Sequence, residues 1–474
     1  MTTESGGSFD MTTRILLLTS LLIVAVSGST LAAGPEIDVP IDLRARWEGW
    51  DTPSGNPDLE QDFEYWKLRA RVGLDLKWEH WKLHGVLQGA ASYGLPEDGA
   101  FGIAKVYVDA NDGDTDPSMV GIAEASVGYR SDRFRMTLGR QGWRGGVEIL
   151  TGITHLDQVK RTRLSERLIG NWDWVNVGRR YDGFTFGVDF GSSDISGFAL
   201  RPLAGGVNYK DAFEQLADLN VYGLTLTGRH GGWLSSGEVR LFGLYYDDGR
   251  PGAVAVAGDD IKITTLGASL LLGDERRDLM LWTALQRGDW GPVDQDAWAF
   301  IVEGGYIFPN TLATPEVRVG IAQASGGDPS AGEHGTFFNL LPTNHKFYGS
   351  IDFSAFSNLQ DIYLLLLLKP GAKSNVRLGF HTFALDDKRD AWWGGAGAFN
   401  EEALGYLIRR PAVGDTFSSD SLGFEVDAQF NWSFKHGFGL GAGVAFFNGD
   451  GAAEEVLIEH ANGTWGWIQG TWKH

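Results

Sequence analysis

Residues 66–78 constrain the fold more than any other stretch of the chain. Seven apolar residues, with Trp66 and Trp78 at the two ends, alternate with six residues that include Lys67, Arg69 and Arg71. A period of two predicts a β-strand. A wholly apolar face bounded by aromatic side chains, opposite a charged face, is typical of a membrane β-barrel with lipid outside and water inside. The alternative is a soluble β-sandwich, whose polar faces rarely carry so many cations.

Similar segments follow along the chain, joined alternately by short turns and long polar loops. Glu79 and His80 form a short turn, whereas a long acidic loop that includes 109–117 precedes the strand at 121–130, and 288–297 is another member of the long set. The count is about eighteen strands, an even number as in bacterial single-chain barrels. We therefore predict an all-β, transmembrane antiparallel β-barrel with short periplasmic turns, long extracellular loops and both termini in the periplasm.

The N-terminal segment is typical of a signal peptide. Arg14 precedes an apolar run at 15–26, and small residues lead to Ala32 and Ala33. We expect residues 1–33 to be removed, with Met11 as the true start, and residues 34–474 to form the barrel. The alternative is a membrane anchor, but the run is shorter than the roughly 20 residues of a spanning helix. A barrel following a signal peptide predicts location in the bacterial outer membrane.

Several motifs then occur in a characteristic order. The first half contains Gly-Arg-Gln at 139–141, Arg-Leu-Ile-Gly-Asn-Trp-Asp-Trp at 167–174 and Arg-Arg-Tyr-Asp-Gly at 179–183. The second half contains Leu-Pro-Thr-Asn-His-Lys-Phe-Tyr-Gly at 341–349, Asp-Ala-Trp-Trp at 390–393 and Gly-Phe-Glu-Val-Asp at 423–427. Together they resemble the alginate-export family of outer-membrane porins. The resemblance implies export of an anionic exopolysaccharide such as alginate. The expected partners are outer-membrane lipid and lipopolysaccharide, the barrel-assembly machinery and periplasmic export proteins.

Alternation also predicts which charged side chains line the lumen. The cations are Arg44, Arg46, Lys67, Arg69, Arg71, Arg240, Arg318 and Arg377, and Glu425 and Asp427 are among the acids. The planar guanidinium group binds a carboxylate through two parallel hydrogen bonds, so such a lining suits a polyanion. The interspersed carboxylates keep each site weak enough for release. The alternative is that these groups pair with one another and only stiffen a wide barrel.

Arg140 and Asp182 break the alternation, because each shares the face of apolar neighbours. A charge held in lipid is costly, and each lies beside a glycine, Gly139 or Gly183, where a β-bulge can form. Either bulges turn both side chains into the lumen, where they pair and join the pore lining, or both strands have already left the membrane. We expect the first arrangement.

Other classes of function are disfavoured. The absence of cysteine excludes disulfides, thiolate metal sites and cysteine nucleophiles. His80, His84, His155 and His381 show no metal or catalytic spacing, so we expect neither an enzyme nor a cofactor. The net charge of −21 disfavours nucleic-acid binding. One acidic loop could hold Ca²⁺ through Asp109, Asn111, Asp112, Asp114 and Asp116, although a solvated loop is the simpler interpretation.

The sequence thus predicts an outer-membrane channel that exports an anionic polysaccharide through an Arg- and Lys-lined pore. The alternatives are a substrate-specific or general diffusion porin for other anions or sugars, and a structural or adhesion barrel plugged by its loops. We expect anion preference despite the negative net charge, because most of that charge lies on loops and is screened over a Debye length of about 8 Å.

Overall fold

The computed structural model describes residues 35–53, 58, 61–99, 102–231, 236–250, 260–394, 406–409, 415–457 and 461–474. The predicted signal peptide, with Met11, lies outside these ranges.

The described chain forms a closed antiparallel barrel of eighteen strands, as predicted. Closure is made by the first strand, which pairs on one side with the second (Ile41 opposite Val72) and on the other with the last (Asp42 opposite Lys473). We number the barrel strands β1 Ile41–Asp51, β2 Asp62–Trp78, β3 Trp81–Tyr93, β4 Ser118–Arg130, β5 Phe134–Gln141, β6 Tyr181–Asp189, β7 Ser193–Pro202, β8 Leu219–Gly231, β9 Ser236–Asp248, β10 Ile261–Gly273, β11 Arg277–Trp290, β12 Val293–Ile307, β13 Glu316–Ala324, β14 Leu359–Gly371, β15 Ser374–Ala384, β16 Ser421–Ser433, β17 Phe438–Asn448 and β18 Asn462–Lys473.

Smaller elements lie between these strands. The helices are α1 Gly102–Asn111, α2 Thr154–Val159, which continues into a π-helical turn at Lys160–Leu164, and α3 Ala452–Val456, with 3-10 turns at Asn344–Lys346 and Lys435–Gly437. Short strands are Glu36–Asp38, which pairs with β2, Glu333–His334, which pairs with β12, and the pair Trp392–Gly394 and Tyr406–Arg409. No helix within the described ranges is long and apolar enough to cross a membrane.

The connections correct two details of the sequence interpretation. The predicted long loop at 288–297 is wrong: β11 runs to Trp290 and β12 starts at Val293. A two-residue hairpin needs a residue with positive φ, and Gly291 supplies it with φ of 59°. Residues 102–111, predicted to lie in an acidic loop, form α1 instead. Both corrections concern the extracellular end of the barrel.

The two faces of the wall are those expected from alternation. On β2, the side chains of Trp66, Leu74 and Trp78 are 54%, 47% and 43% exposed on the outer surface. The alternating Lys67 and Arg69 point inward and are almost completely buried. The apolar outer belt therefore matches a barrel in lipid.

Two long connections, 142–180 and 325–358, fold back into the barrel and fill much of its interior. Their apolar side chains form a core inside the lumen, in which Val177, Phe337, Leu340, Leu341 and Phe356 are completely buried. These two segments, which we call the first and second lumen loops, cover many inward-facing charges.

Candidate functional site

The first lumen loop is held against β1–β4 by cations of the wall. The Arg44 guanidinium donates to the backbone carbonyls of Asp173, Trp174 and Val175 at 3.0, 3.1 and 2.8 Å. Arg46 stacks on the Trp174 ring, with its guanidinium carbon 3.5 Å from the ring centroid. The Asn176 amide donates to backbone carbonyls of β2 and β3 at 3.0 Å. These charge-assisted contacts fix 173–176 on the wall.

The same loop is also bound to β9, β11 and β12, about half a circumference away. Lys160 pairs with Glu238 at 2.6 Å and Arg163 with Glu303 at 2.8 Å. His155 lies 2.7 Å from Asp278. All six side chains are buried, so the loop spans the lumen between two ionic attachments.

The second lumen loop packs on the first. Lys346 pairs with Glu166 at 2.6 Å, and His345 stacks on Trp174 with ring centroids 3.9 Å apart. At its far side, the Ser350 amide donates to Glu425 at 2.5 Å. The two loops therefore support each other across the barrel interior.

A cavity of about 860 Å³ remains between the first lumen loop and the wall formed by β2–β6. It extends to the periplasmic turn at Glu79 and His80, so it opens toward the periplasm. Lysine and arginine outnumber acids in its lining by eight to four, and three of the eight, Lys77, Lys82 and Arg135, pair with Glu36, Asp75 and Asp194 outside the lining. The cations are Arg71, Lys77, Lys82, Arg130, Arg135, Arg144, Arg161 and Arg180, and the acids are Glu79, Glu124, Glu148 and Asp173.

The cations of this cavity differ in how they are neutralised. Arg71 and Arg180 share the Asp173 carboxylate at 2.9 and 3.2 Å. Burial raises the pKa of Asp173, but Arg180, Arg71 and Arg69 outweigh burial and hold that pKa well below its usual range. Arg144 and Arg161 are exposed, and within the described part of the chain no carboxylate lies within 4.0 Å of either. These two guanidinium groups are available to an anion.

Comparison with known proteins identifies the family. The model of the alginate export family matches residues 36–456, which is most of the chain. The chain belongs to the alginate export family. A comparison with curated protein sequences finds no significant match.

Solved structures of similar fold are outer-membrane proteins. OccK9 (OpdG) of Pseudomonas aeruginosa is 12% identical, with a TM-score of 0.57, over 92% of this chain and 98% of that one. OccAB4 of Acinetobacter baumannii is 11% identical, with a TM-score of 0.53, over 93% and 99% of the two chains. OpdK of P. aeruginosa, solved with vanillate, is 9% identical, with a TM-score of 0.53, over 92% and 98%. With its closed eighteen-strand barrel, this alginate export family member is a bacterial outer-membrane channel.

The predicted pore-lining residues lie in three regions of the barrel interior. Arg71 lines the cavity. Arg44, Arg46 and Arg69 point inward but lie buried under the first lumen loop. Lys67 also points inward and is buried between Glu48 and Tyr107 of α1. Arg240, Arg318, Arg377 and Asp427 form ion pairs at the opposite wall or under the second lumen loop, such as Arg240–Glu148 at 2.6 Å and Arg377–Asp427 at 2.9 Å. Glu425 instead accepts hydrogen bonds from the backbone amides of Ser350 and Ile351 at 2.5 and 3.2 Å.

Arg140 and Asp182 pair as expected, but not in the lumen. The Arg140 Nε and Nη2 atoms donate to the two Asp182 carboxylate oxygens at 2.8 and 3.0 Å. Their sequence neighbours Gln141 and Tyr181 are the buried, inward-facing residues, so the pair lies on the outer surface at the extracellular end of β5 and β6. The expected inward turn is wrong. Gly139 and Gly183 have positive φ of 118° and 151°, yet alternation continues through them.

Sequence reasoning missed Arg144, Arg161, Arg180 and Asp173 because it placed the whole first lumen loop outside the barrel. A signal was present. This loop has seven Lys and Arg and four Asp and Glu, whereas the other long connections are acidic. A basic connection in an acidic set is consistent with a segment that works inside a cationic channel. The second lumen loop carried no such signal, because it has three Asp and Glu and one Lys.

The expected calcium residues are mostly engaged in other contacts. Asp109 pairs with Lys105 at 2.7 Å and Asp112 with Lys210 at 2.8 Å. Among the described residues, the one group of three possible ligands within 4.8 Å of one another is His155, Asp278 and Glu316. Arg318 already neutralises that group, pairing with Asp278 and Glu316 at 2.6 and 2.7 Å. Calcium binding at 109–116 stays a prediction.

Proposed function

We propose that this channel exports an anionic polysaccharide, such as a polyuronate, from the periplasm through the cation-rich cavity. The observation that carries the proposal is the excess of Lys and Arg in the cavity lining of a protein whose net charge is −21. Selectivity in a channel depends on the groups at its narrow points rather than on the charge of the whole chain. The local excess of cations therefore favours an anion.

The arrangement also suits passage rather than tight retention. A polyuronate carries one carboxylate per sugar, and a guanidinium group can bind each carboxylate through two hydrogen bonds. Asp173 and Glu124 compete for Arg71 and Arg180. Because the cations nearest the loop are already shared, an arriving carboxylate gains only a moderate free energy and can move to the next cation.

This proposal shifts the selective residues away from the row predicted on β2. Lys67 pairs with Glu48 at 2.7 Å and is 1% exposed, so it cannot contact a passing polymer without rearrangement. Arg144 and Arg161, by contrast, are exposed at the cavity. We therefore assign the first contact with substrate to Arg144 and Arg161, with Arg71 and Arg180 deeper along the path.

Reversal potentials in planar bilayers under a salt gradient test the proposal. The wild-type channel is expected to prefer anions, and Arg144→Gln/Arg161→Gln to lose much of that preference. Arg276→Gln, which removes an exposed cation from a periplasmic turn away from the cavity lining, is the matched control and should leave the potential unchanged. A cation-selective wild type would contradict anion export.

Blockage of the current separates the polymer from smaller substrates. Oligouronates of increasing length should block the wild-type channel at decreasing concentrations, since each added carboxylate adds a contact. A small dicarboxylate or a neutral oligosaccharide that blocks equally well would instead favour a diffusion porin for other anions or sugars.

A further inference from the structure

A polar network lies on the outer, lipid-facing surface of the barrel at the extracellular ends of β5–β8. Arg140 pairs with Asp182, and the Gln215 amide donates to the same carboxylate at 2.7 Å. Arg201 completes the network: its guanidinium donates to the side-chain oxygen of Asn220 at 3.0 Å and to that of Gln215 at 3.5 Å. We call these five residues the outer network.

Alternation establishes that the network faces outward. Gln141, Tyr181 and Leu200 are buried toward the interior, and each precedes or follows a network residue in sequence. The residues Asp182 and Arg201 are directly opposite each other in the β6–β7 ladder and so share one face. The same face continues toward the periplasm with Leu138, which is 55% exposed.

On β5, the apolar belt below the network is shorter than on β2, whereas on the adjacent β4 the exposed Ile122 and Val120 continue it beyond the level of Arg140. On β5, Arg140 follows Phe134, Met136 and Leu138, whereas β2 has seven outward apolar residues from Trp66 to Trp78. Six residues of strand cover about 20 Å, or about 15 Å in height at a tilt of about 40°. The apolar band of such barrels is about 25 Å tall. The network therefore lies at a depth that the polar heads of outer-leaflet lipids must reach.

The five side chains of the network carry a net charge of +1, and Asp247 of β9 lies opposite Asn220 on the same face. Its two guanidinium groups face one carboxylate, that of Asp182. In the described ranges no Asp or Glu lies within 4.0 Å of Arg201, whose partners are neutral amide oxygens. A guanidinium group beside lipid is costly unless an anion accompanies it, and its geometry matches a phosphate.

We propose that Arg201, together with Arg140, binds a phosphate group of a lipopolysaccharide molecule in the outer leaflet. The acyl chains of that lipid would lie on the apolar surface around Leu138, Tyr222 and Leu224, which are 55%, 44% and 56% exposed. Gln215, from the connection between β7 and β8, contacts both Asp182 and Arg201 and so links the two parts of the site.

Native mass spectrometry of the detergent-solubilised barrel tests this site. The affinity of the barrel for bis-phosphorylated lipid A is compared with its affinity for the dephosphorylated form. Wild type should bind the phosphorylated form more tightly, and Arg201→Gln should weaken that binding about tenfold, the loss of one charge-assisted contact. Arg287→Gln, which removes an outward-facing cation paired with Asp296 on the distant β11–β12 hairpin, should bind like wild type. Arg140→Gln provides a second variant should Arg201→Gln not fold.

Three outcomes would overturn the site. These are equal affinity for the phosphorylated and dephosphorylated lipids, unchanged affinity in both arginine variants, and displacement of the lipid by an equal concentration of inorganic phosphate, which would indicate a site for the free ion. The site is independent of the proposed function, since Arg201→Gln should leave the reversal potential of the channel unchanged.

Discussion

At the scale of single residues, β2 shows how far alternation in a sequence can be taken. The side of the barrel wall on which each side chain lies was predictable, because Leu74 is on the outer surface and Lys67 on the inner surface, as the period of two requires. The surroundings of the inward residues were not predictable. Arg69 is buried under Asp173 of the first lumen loop, and Lys67 is buried against Tyr107 of α1. A local pattern contains no information about such contacts.

The outer face makes a direct prediction for Leu74, which is 47% exposed near the middle of the apolar belt. Leu74→Arg should lower the free energy of unfolding by about 2–4 kcal/mol, because a cation at mid-bilayer loses its hydration. Equilibrium refolding into lipid vesicles measures this cost. Leu312→Arg, on a periplasmic turn where Leu312 is 94% exposed, is the control and should cost within about 0.5 kcal/mol. Equal losses of unfolding free energy in Leu74→Arg and Leu312→Arg would mean that Leu74 does not face lipid.

Arg140 and Asp182 should be energetically coupled, because they make two parallel hydrogen bonds at 2.8 and 3.0 Å. A double-mutant cycle with Arg140→Gln and Asp182→Asn, read from refolding into vesicles, should give an interaction above about 0.5 kcal/mol. Strict additivity of the two changes would refute the coupling.

The pairing of Arg140 with Asp182 was predictable from the sequence, because both residues break the alternation in the same way. The orientation of the two side chains toward the outer surface was not predictable, because a bulge was expected at each glycine.

At the scale of elements, strands were predictable and the first lumen loop was not. A strand carries its own signal in the period of two, so the count of eighteen and most strand positions follow from the sequence. The loop has no period. Its inward path depends on pairs such as Arg163–Glu303, whose members are 140 residues apart, and nothing in the local sequence specifies that Glu303 receives a loop arginine rather than a neighbour on the wall.

The Asp173 contacts predict how this loop responds to pH. The folded-state pKa of Asp173 is depressed, so its stabilising contribution is complete above the ordinary value of 3.8 and is lost only as pH falls through the lower folded value. Single-channel conductance should therefore show no step attributable to Asp173 between pH 7 and about pH 4. Asp173→Asn should raise conductance and current noise at pH 7, because Arg71 and Arg180 lose their shared partner.

Control experiments separate Asp173 from a general effect of lost charge. Asp132→Asn, on a periplasmic turn, should leave conductance unchanged. A conductance step between pH 6 and pH 5 that is present in wild type and lost in Asp173→Asn would contradict the assignment, since Asp173 remains ionised throughout that interval.

At the scale of the whole molecule, charge is sorted along the transport axis. The extracellular connections other than the two lumen loops contain 24 Asp and Glu and 7 Lys and Arg, so they hold most of the net charge of −21. The first lumen loop is basic, with seven Lys and Arg and four Asp and Glu. The sequence showed acidic loops, but only the fold shows that the two lumen loops lie inside the barrel while the other, acidic connections lie at the exit.

This sorting predicts different entry rates for a polyanion from the two sides. If the proposed function is right, an oligouronate meets a cation-rich cavity at the periplasmic mouth and an acidic rim at the extracellular mouth. Surface fields of this kind change association rates by about 10-fold or more at low salt. The channel supplies no energy, so a concentration gradient drives export; the acidic rim slows re-entry and speeds the release of the polymer that has passed.

Blocking events in a bilayer of known channel orientation measure this asymmetry. At about 0.05 M salt, an oligouronate should enter from the periplasmic side on the order of tenfold more often than from the extracellular side. At 1 M salt the Debye length falls to about 3 Å, and the two rates should converge. A neutral oligosaccharide of the same length should enter equally from both sides at either salt concentration. Equal oligouronate rates at low salt would show that the acidic rim lies too far from the path to act on the substrate.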